Sequence, residues 1–107
     1  MLHILAKMKI SFDYDGTAST VRGRRLLKKA LANRVNKVYI ISARRDKKQM
    51  VQRLSDLSSR LTANHILAVG SNSRKIQKVK ALGIQRHYDN RKDVSDSLGK
   101  VGKFFKA

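Results

Sequence analysis

Short apolar segments alternate with helical patterns along almost the whole of this 107-residue chain. Four segments rich in Ile, Val, Tyr or Phe have the length and the buried character of parallel strands. The segments between and after them place apolar residues at helical spacing. Because strands that alternate with helices form right-handed βαβ units, the pattern predicts an α/β fold with one parallel sheet. The predicted strands are residues 9–14, 37–42, 65–70 and 84–88, and the predicted helices are residues 20–35, 45–61, 73–82 and 92–105.

Single residues indicate where two of these helices begin and end. Ser19 or Thr20 is expected to cap the first helix, because a side-chain oxygen there can accept from its free N–H groups. For the same reason Asn72 or Ser73 is expected to begin the third helix, and Gly83 suits the residue just beyond its end. The fourth helix is the weakest, since two glycines interrupt its apolar stripe.

The length of the chain favours a single domain over residues 1–107, with residues 1–8 as a tail or an extension of the first strand. No apolar run approaches the roughly 20 residues that span a bilayer, so no membrane contact is expected. The absence of cysteine excludes disulfides and thiolate metal sites. These features predict a soluble cytoplasmic protein, or one packaged in a virion if its source is viral.

The charge of the chain is strongly positive. There are 25 Lys and Arg residues against seven acidic ones, and the formal net charge is +18. A solubilising lysine-rich surface is one explanation, but such a surface normally carries glutamate, which this chain lacks. A charge of this size attracts polyanions, so nucleic acid or another polyanion is the expected partner, and any nucleic acid would be contacted through its phosphates. The densest cations are Arg22, Arg24, Arg25, Lys28, Lys29, Arg34 and Lys37, followed by Arg44, Arg45, Lys47 and Lys48.

Polar and acidic residues follow three of the four predicted strands. In an open parallel sheet the ligand site lies beyond the carboxyl ends of the strands, so these residues are expected to share one site. A calcium-binding loop is excluded for the first group, because its twelfth position is Arg24 where a bidentate glutamate is needed. The residues at the strand ends are Asp13, Asp15, Gly16, Thr17, Ser42, Asp89 and Asn90, with Asp93 one helical turn further on.

Four motifs in this order resemble the haloacid dehalogenase-like (HAD) phosphohydrolase superfamily. They are DYDGT, VYIISAR, a lysine before ALGI, and HYDNRKD, and they cover residues 9 to about 95. The resemblance is greatest to very small members without a cap domain, some of them phage-encoded, since the intervals between motifs hold no more than a helix and a strand. It implies a three-layer Rossmann-like sheet of about four strands in the order 3-2-1-4, with helices on both faces and no cap domain.

The resemblance also implies catalytic roles for three residues. Asp13 would attack phosphorus and form an aspartyl-phosphate, which makes the protein a phosphoric monoester hydrolase. Asp15 would act as general acid and then as general base. Lys75 would neutralise the charge on the phosphoryl group, and spacing to the ALGI segment favours it over Lys78.

The remaining implied roles concern the substrate and the cation. The family binds Mg²⁺, which prefers oxygen ligands. Asp93 would hold the water shell of the metal or orient the site lysine. Ser42 could also cap the helix that follows it. His3, His65 and His87 lack metal-site spacing and are expected to be strand or surface residues. The implied substrate-binding residues are Gly16, Thr17, Ser42, Ala43 and Arg44, and the implied metal-binding residues are Asp13, Asp15, Asp89 and Asp93.

Two functions of different classes are compatible with these features. The first is a Mg²⁺-dependent HAD-type phosphatase with an open site, or one that a neighbouring subunit of a homo-oligomer covers. Its substrate would be a nucleotide or a phosphorylated nucleic-acid end. The alternative is a basic nucleic-acid-binding or virion-packaged protein on a HAD-like scaffold, with little or no catalysis. The charge supports the alternative, and the complete set of acidic residues and lysine supports the enzyme.

Overall fold

The computed structural model of this protein describes residues 8–107. Five strands form one parallel sheet with the spatial order β3-β2-β1-β4-β5, which places β1 at the centre. The predicted α/β class and the order 3-2-1-4 are confirmed, and a fifth strand extends the sheet beside β4. The strands are β1 (Lys9–Phe12), β2 (Lys37–Ser42), β3 (Ile66–Ala68), β4 (Arg86–Asp89) and β5 (Gly102–Phe104).

Four helices cover the two faces of the sheet. The first two pack on one face, where Leu27 and Leu54 join the cluster around Phe12. The last two pack on the other face, where Val79 and Val94 join the cluster around Ile41. The result is the predicted three-layer arrangement. The helices are α1 (Val21–Ala32), α2 (Lys48–Leu54), α3 (Asn72–Ala81) and α4 (Lys92–Ser97).

The connections between the first three strands are short. A turn at Tyr14–Ala18 and α1 lie between β1 and β2, and α2 with one short turn lies between β2 and β3. Neither connection holds a cap domain, as predicted. In the part of the chain that the structure describes, no helix is both long and apolar enough to cross a membrane.

The first residues of the chain and the helix caps test further predictions. Residues 1–7 lie outside the described residues, but the Met8 carbonyl oxygen accepts a hydrogen bond from Lys37 N at 2.8 Å, so pairing reaches residue 8. Thr20 caps α1, as one of the two predicted alternatives. Helix α3 begins at Asn72, one of the two predicted starts, and the side chain of Ser71 caps it by accepting from Arg74 N.

The second helix is shorter than the predicted range 45–61. It spans Lys48–Leu54 and is followed by turns. In this region the side chain of Ser58 accepts a hydrogen bond from Arg60 N, an alternative to helical bonding that serine favours. Leu61 is nevertheless buried in the core. The apolar spacing that suggested a helix therefore marks buried residues that do not all lie in a helix.

The fourth helix also ends early, and the prediction of a helix over residues 92–105 is wrong after Ser97. Gly99 has a φ of 59°, a left-handed conformation that favours glycine and ends a helix. The chain then forms β5, and Phe105 N donates to the carbonyl oxygen of Asp89 at 2.8 Å. Phe105 is buried because this segment pairs with β4. The apolar stripe had suggested that a helix would bury it.

Candidate active site

The turn after β1 places the first acidic residue at the carboxyl edge of the sheet. Asp13 directly follows β1 and is 5% exposed. Its carbonyl oxygen accepts from Ala18 N at 3.0 Å, which closes the turn. Gly16 within this turn has a φ of 75°, and a Cβ at this position would lie 2.3 Å from the side chain of Asn90. Only glycine therefore fits the turn without displacing its neighbours.

A buried lysine joins the acidic residues of two adjacent strands. Lys75 lies in the first turns of α3, and its Nζ donates to Asp13 Oδ1 at 2.8 Å and to Asp89 Oδ2 at 2.9 Å. The side chains of all three residues are at most 6% exposed. The two carboxylates thus lie on neighbouring strand ends, within two hydrogen-bond lengths of each other. Of the two lysines considered from the sequence, the structure brings Lys75 and not Lys78 to this point.

Behind the lysine, a buried histidine continues the network into the sheet. His87 Nε2 lies 2.9 Å from Asp89 Oδ2, and His87 Nδ1 lies 2.6 Å from Ser11 Oγ. Ser11 and His87 are register partners on β1 and β4, and both are fully buried. Since a carboxylate only accepts, we assign a hydrogen to Nε2, which donates to Asp89, while Nδ1 pairs with the hydroxyl of Ser11. The chain Ser11–His87–Asp89–Lys75–Asp13 is continuous.

The two buried carboxylates differ in their electrostatic environment. Burial raises the pKa of Asp13, and the charge of Asp89 adds to this effect against the opposing charge of Lys75. Burial also acts to raise the pKa of Asp89, but the hydrogen bond from His87 and the charge of Lys75 outweigh it and lower that pKa. Two carboxylates therefore share one lysine, and Asp13 is the one whose charge is less fully compensated.

Asp15 lies outside this buried cluster and is paired with an arginine. Its side chain is 57% exposed, and Arg44 donates from Nε and Nη2 to its two carboxylate oxygens, both at 2.8 Å. These hydrogen bonds lower the pKa of Asp15. The guanidinium also lies 5.0 Å from the centre of the Tyr14 ring and donates to Gln49. Arg44 is therefore held beside Asp15 by several contacts.

The other predicted substrate-binding residues lie around Asp13. Thr17 is buried and donates from Oγ1 to Asp13 Oδ2 at 3.4 Å. Ser42 is buried at the end of β2, and its Oγ accepts from Arg44 N at 3.0 Å, so it stabilises the turn that carries the arginine. Ala43 lies in that turn and is partly exposed. The structure therefore gathers the residues that follow β1 and β2.

Asn90 lies at the site, as the sequence suggested, whereas Asp93 does not. In the amide orientation that its neighbours require, Asn90 donates to Asp13 Oδ2 and to the backbone oxygen of Asp15, both at 3.0 Å. Asp93 does not reach the cluster, because it is 65% exposed and accepts two hydrogen bonds from Arg91. That pairing lowers the pKa of Asp93. Asp93 contacts neither Lys75 nor the other carboxylates.

The role of His87 is the main feature that sequence reasoning missed. His65 is a partly exposed residue that packs against Tyr39, and His3 lies outside the described residues. His87 lies in β4, in agreement with the expectation of a strand or surface residue, but its burial and its contact with Asp89 were not predicted. Its position two residues before Asp89 on a strand puts both side chains on one face, and this spacing was the available signal.

Comparison with protein-family models, with curated proteins and with solved structures found no match for this chain. Its class therefore follows from its own fold and site. It is a three-layer α/β protein with a parallel five-stranded sheet and a buried carboxylate–lysine–carboxylate cluster at the carboxyl edge. Ligand sites of such sheets lie at this edge.

Proposed function

We propose that this protein is a Mg²⁺-dependent phosphatase of HAD type that acts through an aspartyl-phosphate on Asp13. The observation that carries the proposal is the buried Lys75 between Asp13 and Asp89 at the carboxyl edge of the sheet. A structural ion pair needs one carboxylate for each lysine, whereas two carboxylates here share one cation. An excess of buried negative charge at a ligand-binding edge favours a site for a second cation and an anionic substrate.

In the first step, an oxygen of Asp13 attacks the phosphorus of a phosphomonoester. The bond between phosphorus and the ester oxygen breaks, and the alcohol leaves with a proton from Asp15. Water, deprotonated by Asp15, then attacks the phosphorus of the aspartyl-phosphate, which releases inorganic phosphate and restores Asp13. The ammonium group of Lys75 offsets the negative charge of the phosphoryl oxygens and fixes the orientation of the Asp13 carboxylate.

The donor atoms at this edge fit Mg²⁺, which takes one or two carboxylates and completes its shell with water and substrate phosphate. Asp13 and Asp89 would supply the carboxylates. The backbone oxygen of Asp15 would be a third donor, since it and Asp13 Oδ2 contact the same Asn90 amide. When bound, the ion would offset the repulsion between the nucleophile and the phosphate. No group of three or more acidic or histidine side chains suited to a metal occurs within residues 8–107.

Proton transfer by Asp15 requires its release from Arg44. The ion pair holds Asp15 in its charged form, whereas a general acid must first carry a proton. An incoming phosphoryl group is a competing anion for the same guanidinium. We therefore assign Arg44 an exchange from Asp15 to the substrate phosphate, which removes the hydrogen bonds that lower the pKa of Asp15 only when substrate is present. This exchange is the substrate-binding role of Arg44.

The absence of a cap between the described strands leaves the site open to large substrates. A nucleotide and a phosphorylated nucleic-acid end could both enter such an open site. A second subunit of a homo-oligomer could also cover it. The net charge of +18 also supports the alternative of a basic nucleic-acid-binding protein with little catalysis. Turnover distinguishes the two functions.

The test is a phosphatase screen with and without Mg²⁺ on small phosphoesters and on oligonucleotides phosphorylated at the 5′ or 3′ end. We expect Mg²⁺-dependent phosphate release from the parent protein and background release from Asp13→Asn. Asp15→Asn keeps the nucleophile and should lose on the order of a hundredfold or more. Beryllofluoride should bind the parent protein and not Asp13→Asn. If Asp13→Asn retains most of a Mg²⁺-dependent activity, the covalent mechanism is wrong.

A further inference from the structure

A groove runs along the edge of the sheet beside β3, which within residues 8–107 pairs only with β2. It consists of two neighbouring cavities of about 520 and 440 Å³ that share part of their lining. The loop after β2 forms one wall and α3 forms the other. We call this feature the edge groove, and its cationic residues are Arg45, Lys47, Arg74 and Lys78.

Three of these cations have no acidic partner among residues 8–107. Ion pairs there engage other basic residues, and none involves Arg45, Arg74 or Lys78. Lys47 donates to a backbone oxygen, and the one acidic lining residue, Asp46, accepts from the backbone N–H of Lys48. The edge groove thus presents several cations whose charge the described residues leave uncompensated.

The edge groove is lined by two of the elements that also carry the candidate active site. Arg74 and Lys78 line the groove from α3, the helix whose Lys75 contacts Asp13. Gly70 also lines the groove, and its backbone N–H donates to the carbonyl oxygen of Arg44 at 3.0 Å. A ligand in the groove would therefore lie beside the loop that carries Arg44 and the helix that carries Lys75.

The lining also indicates which part of a ligand the groove contacts. Its apolar residues are small or aliphatic, from Ile66 to Val69, and no aromatic side chain of the described part of the chain lines either cavity. Stacking of bases on aromatic rings is therefore not available, whereas unpaired cations suit the phosphates of a nucleic-acid backbone. Because Asp13 is nearly buried, the terminal phosphate must reach inward, which a flexible single strand can do.

We propose that the edge groove binds the phosphodiester backbone of a single-stranded nucleic acid whose terminal phosphate lies at Asp13. The role of the terminal phosphate rests on the proposed phosphatase function, while binding in the groove does not require turnover. The substrate class is therefore a phosphorylated single-stranded end, and Arg45, Arg74 and Lys78 are its backbone-binding residues.

The binding test compares two double variants that remove the same charge. Arg45→Gln with Lys78→Gln changes the groove, and Arg25→Gln with Lys28→Gln changes exposed cations on α1. Both are made in the Asp13→Asn protein, so that no turnover occurs, and titrated with a phosphorylated single-stranded oligonucleotide by fluorescence anisotropy over a range of salt. The groove variant should bind on the order of tenfold more weakly. Its slope of log affinity against log salt should fall by about 1.4, at about 0.7 for each phosphate contact.

Charge alone and a specific groove give different results. Equal losses in the two double variants, or no loss in the groove variant, would overturn the proposal. Tighter binding of a polyglutamate peptide than of the oligonucleotide would also overturn it, because the groove would then suit an acidic protein. Arg45→Lys with Lys78→Arg keeps the charge and should restore binding, which a role in packing alone would not predict.

Turnover separates this proposal from the phosphatase proposal. In the protein with an intact Asp13, the ratio of kcat/KM for the oligonucleotide to kcat/KM for p-nitrophenyl phosphate should fall about tenfold in the groove variant. The ratio should not change in the Arg25/Lys28 variant. If the parent protein shows no turnover but the groove variant loses binding selectively, the phosphatase proposal fails and the groove stands. If turnover occurs and the ratio is unchanged in the groove variant, the groove proposal fails and the phosphatase proposal stands.

Discussion

Replacement of Lys75 by Met tests the centre of the site most directly. Met is close to Lys in volume, so the change removes the charge and the hydrogen bonds with little loss of packing. It leaves Asp13 and Asp89 facing each other, with side chains that are 6% and 0% exposed. Lys78→Met on the same helix is the matched control, because Lys78 contacts neither carboxylate.

The expected loss of stability follows from this burial. Removal of one partner from a buried ion pair costs about 3–5 kcal/mol, since the remaining charge is left uncompensated. A domain of this size has a total stability of about 5–15 kcal/mol. Each kcal/mol corresponds to about 4–8 °C in a domain of 60–100 residues, so Tm should fall by at least about 12 °C. Lys78→Met should change the free energy of unfolding by less than about 0.5 kcal/mol.

Thermal and urea denaturation followed by circular dichroism measure both variants, and pH identifies the cause. Burial and the charge of Asp89 already raise the pKa of Asp13, and loss of Lys75 should raise it further. A raised folded-state pKa means that the cost is present at neutral pH and is relieved as the pH falls through that pKa. The deficit of Lys75→Met should therefore be smaller at pH 5 than at pH 7.

A divalent cation provides a second readout on the same protein. If Asp13 and Asp89 form a cation site, Mg²⁺ should raise the Tm of Lys75→Met more than that of Lys78→Met, because binding to the folded state alone is stabilising. A Lys75→Met protein as stable as the control, with no dependence on pH, would refute the buried-charge reasoning. The carboxylate–lysine–carboxylate cluster would then not be the centre of the site.

Three further changes test the surrounding network. Without divalent cations at pH 7, Asp13→Asn should raise Tm, because burial raises the pKa of Asp13 and so makes its charged form costly. The gain in Tm should vanish as the pH falls to the unfolded-state pKa of Asp13. An equal gain at all pH values would contradict this reasoning. His87→Phe leaves Asp89 without one buried donor and should cost about 1–3 kcal/mol in urea denaturation, whereas an unchanged midpoint would refute a structural role. Arg44→Gln should cost less than about 1 kcal/mol, because the pair is largely exposed. The contribution of this ion pair to stability is present above the unfolded-state pKa of Asp15, and it is lost as the pH falls through the lowered folded-state pKa. In the Arg44→Gln variant, an NMR titration should show the pKa of Asp15 rising toward its ordinary range. If that pKa does not rise, Arg44 is not the cause of the lowered value.

Much of the fold could be predicted because it depends on local patterns. Each β-rich segment precedes a segment of helical spacing, and right-handed crossovers then require parallel strands. The carboxyl ends of such strands share an edge, which is why Asp13 and Asp89 could be expected to meet. The order of the strands, however, came from the resemblance to a family and not from the periodicity of the residues.

The errors occurred where an apolar stripe fits more than one kind of element. The spacing of Val94, Leu98, Val101 and Phe105 suits a helix, yet only Val94 lies within α4, which ends at Ser97. Phe105 is buried through the pairing of β5 with β4, a contact between segments that local propensity does not describe. Gly99 at a φ of 59° was the residue that marked the change.

The sequence alone determined which acidic residues stand at the strand ends, because this follows from the order of elements along the chain. Only the tertiary structure decided their partners. Lys75 meets Asp13 across 62 positions of sequence, and His87 meets Ser11 across 76. Asp93 turns to Arg91 and away from the site, although its spacing from Asp89 allowed either arrangement. Hydrogen bonds require a separation of about 3 Å and a suitable angle, and these depend on how helices and strands pack in three dimensions.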